Sequence, residues 1–223
     1  SERQAALESV LIFFFFMFPL GRVLALMADD ADRLPLSLGV SLAGTVMALL
    51  HFREHTSQVM RFFSGQPVSL RLLLKEAGAG VLGFLAIVPP GLVLLFLTLL
   101  ASGQKGVDTG GAHPIVFELG DRFWFSFLLA VVVAPLVEEL VFRTWIHSLL
   151  AGVMRLRWAL LLGGLFFASL HPQTMLAWSY LAFLGAGLAL VREYSQTLIA
   201  PIVTHALANG MALSMFLVFQ SLN

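Results

Sequence analysis

The sequence predicts an all-α fold, a polytopic transmembrane helical bundle with about seven spans, and its composition and hydropathy carry that prediction. Of the 223 residues, 59% are hydrophobic and only 12% are charged, which is far more apolar and less charged than a typical soluble domain. The mean hydropathy is +0.91. Strand-length runs of alternating polarity are missing, so helices are the better prediction. We expect a single integral membrane domain over residues 1–223.

The apolar runs fix the predicted spans, because a membrane helix needs about 20 mostly apolar residues. The spans are predicted at residues 9–28, 34–52, 77–101, 122–150, 157–171, 174–191 and 199–221. No small-residue cleavage pattern follows the first run, so we expect a retained span rather than a signal peptide.

Basic residues predict the orientation of the bundle. They lie in alternate loops, at Arg53, Arg61, Arg71, Lys75, Arg155, Arg157 and Arg192. The positive-inside rule makes these loops cytoplasmic, so we expect the N-terminus inside and the C-terminus outside. Short loops are typical of a bacterial protein, which predicts the bacterial inner (plasma) membrane.

Two connections between the predicted spans have features of their own. Residues 53–75 mix apolar and basic side chains, which fits either a helix on the cytoplasmic interface or an ordinary connecting loop. The short fifth and sixth spans meet at His171 and Pro172. Because the residue before a proline is biased away from helical geometry, we expect His171 at a helix end, in a turn buried below the outer surface.

Three short polar clusters interrupt apolar stretches in the second half of the chain, at residues 138–143, 167–171 and 205–209. Ionisable side chains at membrane depth are costly, so they usually face a bundle interior or a wet cavity and have a function there. Residues four apart share one face of a helix. Glu139 can therefore pair with Arg143, whereas Glu138 points elsewhere.

This spacing gives the clusters a chemical interpretation. Glu138 is left as a reactive carboxylate that, with His171, could activate a water as a general base. His205 and Asn209 are also four apart, and two such hydrogen-bond donors can stabilise the oxyanion of amide hydrolysis. Taken alone, the residues of each cluster could serve only for helix packing or for an interhelical pair. The three clusters occur together at similar depth in the predicted bundle, which predicts a proteolytic site.

The ordered motifs EExxxR, FxxxH and HxxxN resemble those of the CPBP family of intramembrane proteases, which includes CAAX prenyl endopeptidases of the Rce1 type and bacterial Abi-type members. The resemblance covers a motif-bearing core at about residues 122–215. It implies a glutamate-dependent endopeptidase with four catalytic and two supporting residues. The catalytic residues would be Glu138, His171, His205 and Asn209, and the supporting ones Glu139 and Arg143.

Composition also bears on partners and cofactors. The formal net charge is zero and cysteine is absent, so we expect no nucleic acid partner, no thiol nucleophile and no thiolate metal site. The expected partners are the lipid bilayer and a membrane-associated peptide or protein substrate. We expect no cofactor, although a zinc-assisted protease remains an alternative, since carboxylates and imidazoles are acceptable zinc ligands. Its candidate ligands are Glu138, Glu139, His171 and His205.

Other functions and motifs are weaker alternatives. A noncatalytic membrane scaffold or immunity protein could keep the same fold, whereas a proton-coupled transporter is disfavoured because duplicated halves and paired broken helices are missing. Residues 51–55 fit the H-x-x-E-H zinc pattern, but a basic boundary segment explains them more simply. Residues 78–83 match G-x-G-x-x-G without a preceding strand, which favours close helix packing.

Overall fold

The computed structural model describes residues 8, 11–12, 69–103, 124, 127–171 and 175–221. Every element among these residues is helical, which confirms the all-helical prediction for this part of the chain. The chain divides into two compact units, one with residues 1–68 and 144–153 and the other with residues 69–143 and 154–223. The single domain over the whole length stays a prediction, because most of residues 1–68 lie outside the described residues.

The helices follow the predicted order in the second half of the chain. Helix α1 covers Leu70–Ser102. A long helical stretch comes next and consists of π-helical Leu128–Val133, α2 (Ala134–Glu139), π-helical Leu140–Ile146 and α3 (His147–Val153). It is followed by α4 (Leu156–Ser169), α5 (Met175–Ser195) and α6 (Ile199–Ser221). Five of the seven predicted spans thus coincide with helical segments, and the spans at 9–28 and 34–52 lie almost wholly outside the described residues.

Helix α1 begins seven residues earlier than predicted. The Ser69 hydroxyl accepts a hydrogen bond from the Leu72 N–H at 3.2 Å and so caps the first turn. At the other end Gly103 adopts φ 68°, a left-handed conformation that glycine accepts without strain. Residues 70–75 therefore belong to α1 rather than to an interfacial helix or a loop, and residues 53–68 lie outside the described residues.

Helix α1 is long and apolar enough to cross a membrane. Its 33 residues correspond to about 50 Å of helix, and only 17% of its most apolar window is buried. Large apolar side chains along it are exposed, among them Leu82, Leu85, Phe96 and Leu100. Helix α4 and Ile199–Met215 of α6 are apolar but shorter, so the count of seven spans stays a prediction.

Helices α1, α5 and α6 pack around a shared apolar core. The core contains Ile87 and Val88 from α1, Leu184 and Leu188 from α5, and Ala208 from α6. Small residues permit the close approach, since a Cβ at Gly80 would lie 2.6 Å from Val203 Cβ and one at Gly83 would lie 2.6 Å from Thr204 Oγ1. The helix-packing interpretation of the G-x-G-x-x-G match is confirmed at these two positions.

A polar contact joins the start of α1 to the connection between α5 and α6. The Thr197 hydroxyl donates to Glu76 Oε2 at 2.8 Å, and Glu76 is 2% exposed. Lys75 and Arg192 consequently lie towards the same end of this unit, which agrees with the predicted grouping of basic residues. Which side of a membrane that end faces stays a prediction.

Helix α4 packs against α5 through two facing glycines. A Cβ at Gly164 would collide with the carbonyl oxygen of Ala182, and a Cβ at Gly185 would lie 2.8 Å from Phe167 Cβ. Phe167 is fully buried. The pair of glycines therefore fixes how closely the last turn of α4, and with it His171, approaches α5.

Candidate active site

The structure brings five of the six predicted site residues into one cluster of side chains. Glu138 and Glu139 are the last two residues of α2, and Arg143 lies in the π-helical segment that follows. His171 comes directly after the end of α4, and His205 lies near the start of α6. Asn209 lies one turn further along α6 and makes a separate contact.

Glu139 and Arg143 form a buried ion pair, as their spacing predicted. Arg143 Nε donates to Glu139 Oε2 at 2.7 Å, and Arg143 Nη2 lies 3.4 Å from Glu139 Oε1. Their side chains are 1% and 0% exposed. A buried charge is tolerated only with such a partner, so each residue depends on the other.

His205 adds a third member to this pair. Its Nδ1 lies 3.0 Å from Glu139 Oε1, and its side chain is 2% exposed. Helical spacing could not predict this contact, because Glu139 and His205 belong to different helices and lie 66 positions apart in sequence. Glu139 therefore lies between Arg143 and His205 and contacts both.

Glu138 faces both histidines through a single oxygen atom. Its Oε2 lies 3.8 Å from His171 Nε2 and 3.8 Å from His205 Nε2. Both distances exceed the range of a direct hydrogen bond, and within the described part of the chain Glu138 Oε2 is buried without a hydrogen-bond partner. The side chain as a whole is 24% exposed. Glu138 is thus the more exposed carboxylate of the cluster and is not part of the Glu139–Arg143 pair.

The end of α4 fixes the ring of His171. Its Nδ1 lies 2.8 Å from the carbonyl oxygen of Phe167, which also accepts a hydrogen bond from the Leu170 N–H at 3.3 Å at the end of α4. The helix stops at Ser169, as the proline at position 172 predicted. His171 is therefore held by the backbone with Nε2 directed towards Glu138.

Phe167 contacts both imidazoles. It is the first residue of the FxxxH motif, and the sequence predicted no contact for its side chain. Its ring centroid lies 4.6 Å from that of His171 and 5.7 Å from that of His205. The guanidinium of Arg143 lies 5.9 Å from the same ring. The aromatic ring thus packs against both histidines and limits where each can move.

Asn209 is held by a carbonyl that proline leaves available. Its Nδ2 donates to the carbonyl oxygen of Ala130 at 2.9 Å. The Ala134 N–H bonds to the carbonyl of Leu129, so in this π-helical register the partner of Ala130 would be Pro135, which has no N–H. The sequence signal for this contact was Pro135 inside a predicted span, because a freed carbonyl in an apolar interior needs a donor.

The cluster contains residue types that can bind a metal ion. Across the described ranges, no group of three or more histidine, aspartate or glutamate side chains is arranged to hold a metal ion. Glu139, one of the four candidate ligands, is already bonded to Arg143 and His205. The expectation of a site without cofactor stays a prediction.

Comparison with known proteins bears on the same region of the chain. A protein-family model described as type II CAAX prenyl endopeptidase, Rce1-like, matches residues 120–211, which include all six predicted site residues. No curated protein and no solved structure matches the chain. The resemblance predicted from the three motifs is confirmed: residues 120–211 are similar to the Rce1-like type II CAAX prenyl endopeptidases, a family of membrane-embedded proteases.

Proposed function

We propose that the chain is a glutamate-dependent intramembrane endopeptidase that hydrolyses a peptide bond of a membrane-associated protein or peptide. The observation that carries this proposal is the position of Glu138 Oε2, 3.8 Å from the Nε2 atoms of His171 and His205. A water about 2.8 Å from Oε2 could bridge it to an imidazole at that separation. A general base must lie within this reach of the proton that it removes.

The reaction follows from these contacts. As the water oxygen attacks the carbonyl carbon of the peptide bond, one water proton passes to Glu138 Oε2. The carbonyl oxygen becomes an oxyanion, and the proton then moves from Glu138 to the departing amine as the carbon–nitrogen bond breaks. General acid–base catalysis of this kind contributes about 10²- to 10⁴-fold to a rate.

Asn209 is the best-placed donor to the oxyanion. One of its amide hydrogens is directed at the carbonyl of Ala130, which fixes the orientation of the side chain and leaves the second N–H for the substrate. Such a fixed donor costs no reorganisation during the reaction, and its removal typically slows catalysis about 10²- to 10³-fold. His205 can share this task only in a form that carries a proton on Nε2.

The bundle would place this reaction inside a membrane. We propose an integral protein of the bacterial inner membrane with a cytoplasmic N-terminus, with the lipid bilayer and a membrane-associated substrate as partners. The long, apolar and largely exposed α1 supports the membrane location. Nucleic acid and cofactors have no part in the proposal.

The test is a comparison of membrane peptides from cells that carry the active protein with those from cells that carry Glu138→Gln. The variant keeps the size of the side chain and removes the base. Peptides that accumulate uncleaved only with Glu138→Gln would be the substrates. Identical peptide profiles, with a cellular phenotype that survives alanine at Glu138, His171 and His205, would instead indicate a noncatalytic scaffold or immunity protein.

A further inference from the structure

Helix α1 contacts α6 through the residue immediately before His205. Thr204 is fully buried. Its hydroxyl lies 2.8 Å from the carbonyl oxygen of Gly80 in α1 and 3.0 Å from the carbonyl oxygen of Ala200 in its own helix. A hydroxyl has one proton to donate, and the shorter contact is the one to Gly80. A hydrogen bond between the two helices therefore lies directly beside the candidate active site.

Two glycines of α1 make room for this contact. A Cβ at Gly83 would lie 2.6 Å from Thr204 Oγ1. A Cβ at Gly80 would lie 2.6 Å from Val203 Cβ, whereas carbon atoms in contact prefer about 3.5–4.0 Å. Glycine at both positions therefore lets α6 lie close enough for the Thr204 hydroxyl to reach the carbonyl oxygen of Gly80.

A second hydrogen bond joins α1 to the chain just before α6. The Thr197 hydroxyl donates to Glu76 Oε2 at 2.8 Å. Glu76 lies about one helical turn before Gly80, and Thr197 lies about two turns before Thr204. Because the two contacts lie at different heights, together they restrain both the tilt and the rotation of α6 against α1.

The rotation of α6 decides where its proposed catalytic side chains lie. His205 follows Thr204 directly, and successive residues of a helix are about 100° apart, so the faces that carry them are adjacent. Asn209 reaches the carbonyl oxygen of Ala130. Side-chain atoms about 5–6 Å from a helix axis move by about 1 Å when the helix rotates by about 10°. A small rotation of α6 would therefore displace both His205 and Asn209.

We propose that Thr204 is a positioning residue, through which α1 sets the rotation of α6 and so holds His205 and Asn209 in the places that the reaction needs. This inference rests on the proposed function. Helix α1 lies outside residues 120–211, which match the family model. The inference thus gives α1 a part in catalysis besides its place in the apolar core.

The variant Thr204→Val keeps the shape of the side chain and removes the hydroxyl. A misplacement of about 1 Å can cost about 10²-fold in rate, and we expect kcat to fall by about 10- to 10²-fold. KM should change little, because His205 and Asn209 act on the reacting atoms rather than on the binding of the substrate. Thr204→Ser keeps the hydroxyl and should restore a nearly normal kcat.

Thr98→Val is the matched control in the same helix. The Thr98 hydroxyl donates to Ser179 Oγ of α5 at 3.2 Å, so this variant removes a hydroxyl between α1 and α5 and leaves the contact with α6 in place. It should cleave at the normal rate.

A disulfide cross-link reports the rotation of α6 without any substrate. The chain has no cysteine, so Val131→Cys together with Gly210→Cys introduces the only two thiols. A Cβ at Gly210 would lie 3.7 Å from Val131 Cγ1, which is close to the geometry that a disulfide requires. We expect oxidation to join the pair at the same rate in the Thr204→Ser and Thr98→Val backgrounds as without them, and several-fold more slowly in Thr204→Val. Mass spectrometry measures the joined peptides.

A normal kcat in a folded Thr204→Val protein would overturn the proposal, whatever its cross-linking rate. An equal loss of kcat in Thr204→Ser would also overturn it, because the hydroxyl would then not be the cause. If Thr204→Val does not fold, Thr204→Ala takes its place, since alanine favours the helix and also lacks the hydroxyl.

A residue that only stabilised the fold would lower the unfolding temperature and leave the cross-linking rate of the folded protein unchanged, and this result too would overturn the proposal. Slower cross-linking in Thr204→Val, in a protein that cleaves nothing even when unmodified, would support the positioning of α6 and refute the protease function. The two failures are therefore distinguishable.

Discussion

Alanine at Gly185 tests whether the approach of α4 to α5 positions the active site. The added Cβ would lie 2.8 Å from Phe167 Cβ and 3.0 Å from Phe167 Cγ. Carbon atoms in contact prefer about 3.5–4.0 Å, so Phe167 must move by about 0.7–1.2 Å. The carbonyl oxygen of Phe167 contacts His171 Nδ1, and its ring contacts both imidazoles. A displacement of Phe167 would therefore shift the two histidines that face Glu138.

We expect Gly185→Ala to lower the cleavage rate more than it lowers the stability of the protein. Overpacking costs about 1–3 kcal/mol, and alanine recovers about 0.5–1 kcal/mol of helix propensity. The net loss of stability is therefore about 0–2.5 kcal/mol. A misplacement of about 1 Å can cost about 10²-fold in rate, and we expect a loss of that order for Gly185→Ala.

Gly78→Ala in α1 is the matched control, because a Cβ there would meet nothing within 4 Å. It should gain about 0.5–1 kcal/mol and cleave at the normal rate. The assay measures thermal unfolding in detergent and the cleavage rate of a substrate found by the peptide comparison. Normal cleavage by a folded Gly185→Ala protein, or an equal loss in Gly78→Ala, would show that the approach of α4 to α5 does not position the active site.

Two further predictions concern the buried charges and the absence of a cofactor. Arg143→Met leaves Glu139 buried without its cation, which should cost about 3–5 kcal/mol of stability, whereas Arg143→Lys keeps the charge and should cost less; unchanged thermal unfolding of Arg143→Met would contradict this. Purified protein should keep its cleavage activity after treatment with a chelator, because the proposed base is Glu138 and not a metal-bound water. Loss of activity on chelation and its recovery with added zinc would favour the zinc-assisted alternative.

Contacts within one helix were predictable from the sequence. The pairing of Glu139 with Arg143 follows from a spacing of four residues, and the structure has that pair. The helix end before His171 follows from Pro172. The glycines at residues 78–83 predicted close helix contacts, and Gly80 and Gly83 make them.

Contacts between helices were not predictable in the same way. The sequence placed Glu139, His171 and His205 at similar depth, but it could not show that His205 bonds to Glu139 while both histidines face one oxygen of Glu138. These contacts depend on how α2, α4 and α6 are rotated about their axes, which spacing within one helix does not determine. The π-helical segments on both sides of α2 change that rotation.

In the proposed reaction Glu138 is the base of a peptide-bond hydrolysis. The most direct measurement is the cleavage rate of purified Glu138→Gln on the identified substrate, with Glu193→Gln, in the last turn of α5, as the control for the same chemical change. We predict a loss of about 10²- to 10⁴-fold for Glu138→Gln, with an unchanged unfolding temperature, and a normal rate for Glu193→Gln. A folded Glu138→Gln protein that cleaves at the normal rate would show that Glu138 is not the base.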